Sequence, residues 1–236
     1  MLLAACGDDG GGASADGGAA DGAPEIDAAV DAAVDAGPTV TDYRNLSETG
    51  FYSDVGNKTI DPNLIEYVPK YPLWTDGAIK RRWILLPPGS TIDTIDMDNW
   101  RFPVGTKIFK EFSLQPNSGD PIVMETRLIV RIGDTDGPES WWRGSFRWRN
   151  PDGSVVADPV LVDMGDVQIA LTSFDFDSER ANAPYRIPDD DACGGCHDGT
   201  SHRVLGFQAI QLTDTAQVGG NLAPIDTDWL ERVNRL

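Results

Sequence analysis

The chain has 236 residues, of which 40% are hydrophobic, so it is long enough for one domain with a sizeable buried core. Its 38 Asp and Glu residues against 19 Lys and Arg residues give a formal net charge of −19. This negative field repels phosphate backbones and anionic lipid surfaces, which excludes nucleic acid as a partner and argues against a polybasic membrane-binding protein.

The first forty residues differ in composition from the rest of the chain. Half of residues 1–40 are Ala or Gly, eight are acidic, and none is basic or aromatic. Such a segment buries too little to offset its ordering entropy, so we expect a disordered acidic tether. Within it, Leu3-Ala4-Ala5-Cys6 resembles a bacterial lipobox, in which the cysteine is lipidated and becomes the new N-terminus. Only five residues precede Cys6, so either the true start lies upstream or the match is accidental.

Residues 41–183 are predicted to form a β-rich domain. A helical turn ended by Gly50 comes first, and a proline-rich extended connector follows at 61–76. Later runs of alternating, β-branched or aromatic residues are separated by turn signals such as Asn150-Pro151-Asp152-Gly153. The predicted strands are 80–86, 91–97, 106–113, 123–132, 141–148, 155–162 and 167–171. Strands at these intervals predict a mostly β fold, an antiparallel β-sandwich or barrel-like domain.

The segment Cys193-Gly194-Gly195-Cys196-His197 has the Cys-x-x-Cys-His pattern of c-type haem attachment. Two thiols three positions apart can add to the two vinyl groups on one edge of a porphyrin. His197 then follows as the proximal axial ligand of the iron. Bacteria attach haem covalently outside the cytoplasm, which agrees with the lipobox. The motif therefore predicts one covalent haem c, held by Cys193, Cys196 and His197, in an exported protein.

Other interpretations of the motif stay open. A thioredoxin-like dithiol would need a strand before it and a helix after it, and the acidic run 189–191 would raise a thiol pKa there. A zinc site could combine Cys193, Cys196, His197 and His202, although the usual long spacer between two ligand pairs is absent. A structural disulfide between the two cysteines is the simplest alternative.

Residues 184–236 are predicted to be a short, partly α-helical haem-binding segment, with helices at 204–212 and 226–236. Only 48 residues follow Pro188, fewer than small cytochromes need to enclose a haem. We therefore expect the β domain to supply one wall of the pocket. The candidates for the sixth iron ligand are Met97, Met124, Met164 and His202. Of these, we predict Met164, beside Gly165, as the sixth ligand. If instead the sixth position is open, peroxide or small-molecule chemistry at the iron is favoured.

Several stretches outside the motif resemble a family of secreted bacterial c-type cytochromes, often lipoproteins and often dihaem. The similar stretches are Leu46-Ser47-Glu48-Thr49-Gly50, Pro72-Leu73-Trp74-Thr75-Asp76-Gly77-Ala78, Trp100-Arg101-Phe102-Pro103-Val104-Gly105-Thr106, Glu125-Thr126-Arg127-Leu128, Ile187-Pro188 and Leu205-Gly206-Phe207-Gln208. Longer members look as if they carry a second Cys-x-x-Cys-His, whereas this chain holds one. It is then either a short paralogue or half of a two-haem unit.

These observations predict three regions: a lipobox and tether at 1–40, a β domain at 41–183 and a haem-binding segment at 184–236. The expected function is electron transfer at the cell envelope, by a periplasmic or outer-membrane-anchored cytochrome that is a carrier rather than an enzyme. Its partner would be a redox protein, and membrane contact would run only through lipidated Cys6. The alternatives are a haem enzyme with an open sixth site, and a haem-free surface binding module stapled by zinc or a disulfide.

Overall fold

The computed structural model describes residues 43–69, 71–73, 75, 77–96, 99–198, 203–207, 209–212, 216–218 and 221–223. The chain divides into two compact units, Met1–Ala36 and Gly37–Leu236, and every described residue belongs to the second. The predicted tether with Cys6, the ligand candidates Met97 and His202, and the predicted helix at 226–236 lie outside the described residues.

The described chain is mostly β and antiparallel, which confirms the predicted fold class. Its strands are β1 (Tyr52–Asp54), β2 (Thr59–Ile60), β3 (Ile65–Glu66), β4 (Ile79–Leu85), β5 (Lys107–Leu114), β6 (Ile122–Arg131), β7 (Trp141–Arg149), β8 (Val155–Leu161), β9 (Val167–Ile169), β10 (Tyr185–Ile187), β11 (Ala216–Val218) and β12 (Asn221–Ala223). Its α-helices are α1 (Ser178–Asn182), α2 (Asp190–His197) and α3 (Ala209–Leu212), and short 3-10 helices cover Leu46–Thr49 and Pro138–Ser140. None of the helices in the described part of the chain is long and apolar enough to cross a bilayer.

Strands β3 to β8 form one six-stranded sheet in which neighbours in sequence are neighbours in space. The predicted turn at Asn150 forms as expected: the Gly153 amide donates to the Asn150 carbonyl at 2.8 Å, and Gly153 has a φ of +86°. Glycine adopts this left-handed conformation without steric cost, so the chain reverses tightly between β7 and β8. The antiparallel order of β3 to β8 along the chain makes the sheet a meander.

One face of the sheet is covered by the N-terminal part of the described chain. Phe51 is fully buried there, with its ring 4.6 Å from that of Phe109 on β5 and 5.0 Å from that of Trp83 on β4. Successive residues of a strand point to opposite faces, so Trp83 and Phe109 belong to this side while their neighbours Arg82 and Lys110 belong to the other.

The other face is covered by the C-terminal part of the described chain. Phe207 is fully buried and lies 4.8 Å from the ring of Tyr67 and 5.4 Å from that of Phe102. Strand β10 pairs with β9 and buries Tyr185 and Ile187 beside the sheet. The segment that carries the Cys-x-x-Cys-His motif is thus packed directly on the β domain.

Two predicted elements are wrong. The range 91–97 forms, in its described part, only one bridge between Asp93 and Arg101, because Asp93 accepts a hydrogen bond from the Ile95 amide and turns the chain. The predicted helix at 204–212 is reduced to α3 at its end. Gly206, with a φ of +86°, lies in a turn that a helix cannot contain.

Candidate functional site

The Cys-x-x-Cys-His motif forms helix α2. Pro188 follows β10, and Asp189 then caps the helix, with its carboxylate accepting a hydrogen bond from the Ala192 amide at 3.0 Å. Acidic residues in the first turn also suit the positive end of the helix dipole. Since positions i, i+3 and i+4 share one helix face, Cys193, Cys196 and His197 are neighbours on one side of α2.

The ring of His197 is held in one tautomer. Its Nδ1 lies 2.6 Å from the carbonyl oxygen of Arg203, and a carbonyl only accepts, so Nδ1 carries the hydrogen. The remaining nitrogen, Nε2, therefore has a free lone pair. Burial lowers the pKa of His197, and nearby cations lower it further, so the ring is neutral at pH 7. A neutral imidazole whose second nitrogen is bound to a carbonyl is the usual state of a metal ligand.

The two thiols of the motif are free and differ in exposure. Cys193 is half-buried against the sheet beside Ser145, and Cys196 is exposed. Burial raises the pKa of the Cys193 thiol, only partly opposed by Arg127 and Ser145. A thiol that stays protonated is a poor dithiol nucleophile, which counts against the thioredoxin-like alternative.

Arg143 on β7 fastens both ends of α2 to the sheet. Its Nε lies 2.7 Å from Oδ1 of Asp190 in the first turn, and its Nη1 binds Asp198 just beyond the last turn. Arg203 lies 3.6 Å from the same Asp198 carboxylate. The motif is consequently held against the sheet from both ends.

A narrow cavity of about 70 Å³, partly open to solvent, lies between α2 and the sheet. This volume is smaller than that of typical ligand-binding pockets, so a large ligand would have to displace some of the lining side chains. Cys193 and His197 line it from the helix side. Apolar walls come from Tyr67, Leu73, Ile108, Leu128, Ile129, Val204 and Leu205. Residues from 41–183 and from 184–236 therefore both contribute to its walls.

Four cationic side chains also line the cavity: Arg82, Lys110, Arg127 and Arg143, from β4, β5, β6 and β7. The Arg127 guanidinium binds the Glu125 carboxylate through two hydrogen bonds of 2.7 and 2.8 Å. Burial, with neighbouring cations, lowers the pKa of Lys110 to about 7. The sequence analysis did not identify these four cations, because charged residues on a strand ordinarily face solvent. The pattern that could have revealed them is the alternation of cations with the core residues Trp83, Phe109 and Leu128 along their strands.

The two methionine candidates that the structure describes do not line the cavity. Met164 is 91% exposed in the loop between β8 and β9, and it does not line the cavity. Met124 is fully buried in the core with Ile169 and Tyr185. Within the described residues, no group of three or more His, Cys, Asp or Glu side chains is arranged to hold a metal ion. Distal ligation by Met164 stays a prediction.

In comparisons with known proteins, no family model, curated protein or solved structure matches this chain.

Proposed function

We propose that this chain is an exported c-type cytochrome that holds one covalent haem through Cys193, Cys196 and His197 and carries electrons at the cell envelope. The observation that supports it most is the bond between His197 Nδ1 and the Arg203 carbonyl, which leaves Nε2 free at the edge of a cavity. Two free thiols lie on the same helix face as this imidazole.

The residues around the cavity fit a haem in their donor chemistry. The porphyrin supplies four of the iron ligands, so one imidazole suffices from α2 and a cluster of protein ligands is not needed. Tyr67, Ile108 and Ile129 offer apolar surface for a ring, and the cations beside them suit its two carboxylates. A bound haem would supply one-electron exchange between ferric and ferrous iron.

Attachment needs no oxidant. Each thiol adds across one vinyl C=C bond: a sulfur–carbon bond forms, and the thiol hydrogen ends on the neighbouring carbon. Cys193 and Cys196 would each form one thioether in this way. His197 would bind the iron with Nε2, while its Nδ1–H would continue to donate a hydrogen bond to the Arg203 carbonyl.

The partner we propose is a basic redox protein. The helix that carries the exposed Cys196 begins with Asp190 and Asp191, and the whole chain carries a charge of −19. Opposite charges on the partner would speed the encounter. The lipobox-like Cys6 supports a periplasmic or membrane-anchored location.

A haem enzyme with an open sixth iron site is the second candidate. The observation that favours it is the absence, among the described cavity residues, of a methionine or a second histidine. Spectroscopy separates the two candidates, since a six-coordinate carrier is low-spin and an open site gives a high-spin ferric spectrum.

The decisive experiment is export of the full chain in a host that has the haem-attachment machinery. A Soret band that survives acid–acetone extraction, with a mass increase of one haem, is the expected result. Cys193→Ala together with Cys196→Ala should abolish both, whereas Met164→Ala should leave the covalent attachment intact. A colourless product with the mass of the bare polypeptide would contradict the proposal and favour the haem-free, zinc- or disulfide-stapled module.

A further inference from the structure

Three of the cavity cations lie side by side across the sheet. The strand register places Arg82 of β4 directly opposite Lys110 of β5, and Lys110 directly opposite Arg127 of β6. Like charges at directly opposite positions repel and destabilise a sheet. Arg82 is moreover only 5% exposed, so water screens little of this repulsion.

Carboxylates of the chain balance only some of these charges. Arg127 is paired with Glu125, and Arg143 with Asp190 and Asp198. Among the described residues, no carboxylate lies within ion-pair distance of Arg82 or Lys110. The cavity therefore holds two cationic groups, the buried Arg82 and the partly buried Lys110, that lack a described counter-ion, and a ligand with two negative charges would stabilise both.

The strand order sets how far these cations lie from the side of the cavity that Cys193 lines. Cys193 lies beside Ser145 of β7, which is directly opposite Arg127. Lys110 and Arg82 are two and three strands away from β7, hence roughly 10 and 14 Å from it at about 4.8 Å per strand. In a haem the two vinyl groups and the two propionates occupy opposite edges of the ring.

We propose that Arg82 and Lys110 form an anion subsite that binds the two propionate carboxylates of the haem. This inference rests on the proposed function. In this arrangement the thioethers to Cys193 and Cys196 hold one edge of the porphyrin above β7. The two cations hold the opposite edge above β4 and β5.

The test uses the mature, haem-bearing full chain and its Arg82→Gln and Lys110→Met variants. Arg81→Gln is the matched control, because Arg81 is on the opposite face of the same strand and is paired with Glu66. Resonance Raman spectra report propionate bending directly. We expect this band to shift in Arg82→Gln and Lys110→Met but not in Arg81→Gln. Lys110→Arg, which keeps the charge, should retain the wild-type band.

Reduction potentials provide the second readout. Loss of a cation beside the propionates stabilises the ferric form, so both cavity variants should have lower potentials than wild type, with the control unchanged. Succinate and inorganic phosphate should leave the wild-type propionate band unaltered, because the haem carboxylates already occupy the subsite.

Several results would overturn the inference. An unshifted propionate band in both cavity variants would mean that neither cation touches a propionate. A change of iron ligation in both Lys110→Met and Lys110→Arg would make Lys110 an axial ligand instead. Displacement of the band by succinate or phosphate would assign the subsite to a free anion. In all three cases covalent haem is still present, so the proposed function survives; a haem-free product would refute the function itself.

Discussion

Nε of Arg143 lies 2.7 Å from Oδ1 of Asp190, a contact that joins strand β7 to the first turn of the motif helix. The Arg143 side chain is 12% exposed, so its bonds to Asp190 and Asp198 are partly shielded from solvent. We expect Arg143→Gln to lower the free energy of unfolding by about 1.5–3 kcal/mol, the usual contribution of hydrogen bonds to charged groups.

Amide hydrogen exchange measures this effect locally. Exchange should quicken across α2 in Arg143→Gln, since the helix loses its fastening at both ends. Arg44→Gln removes an ion pair whose two side chains are more than 60% exposed, and it should change stability by about 0–1 kcal/mol and leave α2 unaffected. Unchanged exchange in α2 of Arg143→Gln would show that other contacts hold the helix.

The two glycines inside the motif should respond differently to alanine. A Cβ on Gly195 meets no described atom within 4 Å, so Gly195→Ala should stabilise α2 by about 1 kcal/mol through helix propensity. A Cβ on Gly194 would lie 2.8 Å from Oδ2 of Asp198 and 3.3 Å from Nη2 of Arg143. Gly194→Ala should therefore be about 1–2 kcal/mol less stable than Gly195→Ala, because the Arg143–Asp198 pair must shift. Urea denaturation of both variants measures the difference, and equal midpoints would contradict it.

Lys110 should give the haem-free chain a particular pH dependence of stability. Burial and the facing cations Arg82, Arg127 and Lys80 lower its pKa from 10.5 to about 7, with Glu125 opposing them. Between these two pH values the unfolded chain holds a proton that the folded chain has released, so stability rises with pH across this window. Across this window the free energy of unfolding should rise by a few kcal/mol.

Lys110→Met should remove this rise. Its stability advantage over wild type should be largest below pH 7 and shrink as the pH approaches 10.5, and denaturant unfolding at several pH values measures it. Parallel pH profiles of the two proteins would mean that Lys110 has an ordinary pKa.

Glu125, the carboxylate partner of Arg127, is predicted to be sensitive to substitution. Its carboxylate is fully buried, binds Arg127 at two points and accepts a hydrogen bond of 2.8 Å from the Tyr185 hydroxyl. Glu125→Gln leaves the partly buried Arg127 charge uncompensated, which should lower the free energy of unfolding by up to about 3–5 kcal/mol.

Glu66→Gln is the matched control for Glu125→Gln. Glu66 binds Arg81 with the same two-point geometry, at 2.8 Å for each bond, but the Arg81 side chain is half exposed. The control should cost only about 0–1 kcal/mol. Urea denaturation measures both variants. Similar losses in the free energy of unfolding would mean that burial does not determine how much each ion pair contributes to stability.

The sequence predicted the parts of the fold in which local pattern and tertiary packing agree. Alternation predicted a strand at 123–132, and β6 is Ile122–Arg131. It failed at 91–97, where β-branched residues suggested a strand but aspartate side chains bind the local backbone. Cys193, Cys196 and His197 could be identified from the sequence because the Cys-x-x-Cys-His spacing is typical of covalent haem attachment. The cations could not be, since their significance arises only when strand register places Arg82, Lys110 and Arg127 side by side.

The unequal exposure of the two cysteines should make them react at different rates. With Arg143 bound to both Asp190 and Asp198, the Cys193 thiol lies half-buried against the sheet while Cys196 remains on the surface. A reagent therefore reaches Cys196 directly, but it reaches Cys193 only through the cavity or after α2 moves away from the sheet. A variant that docks α2 more slowly would keep the inner thiol accessible for longer.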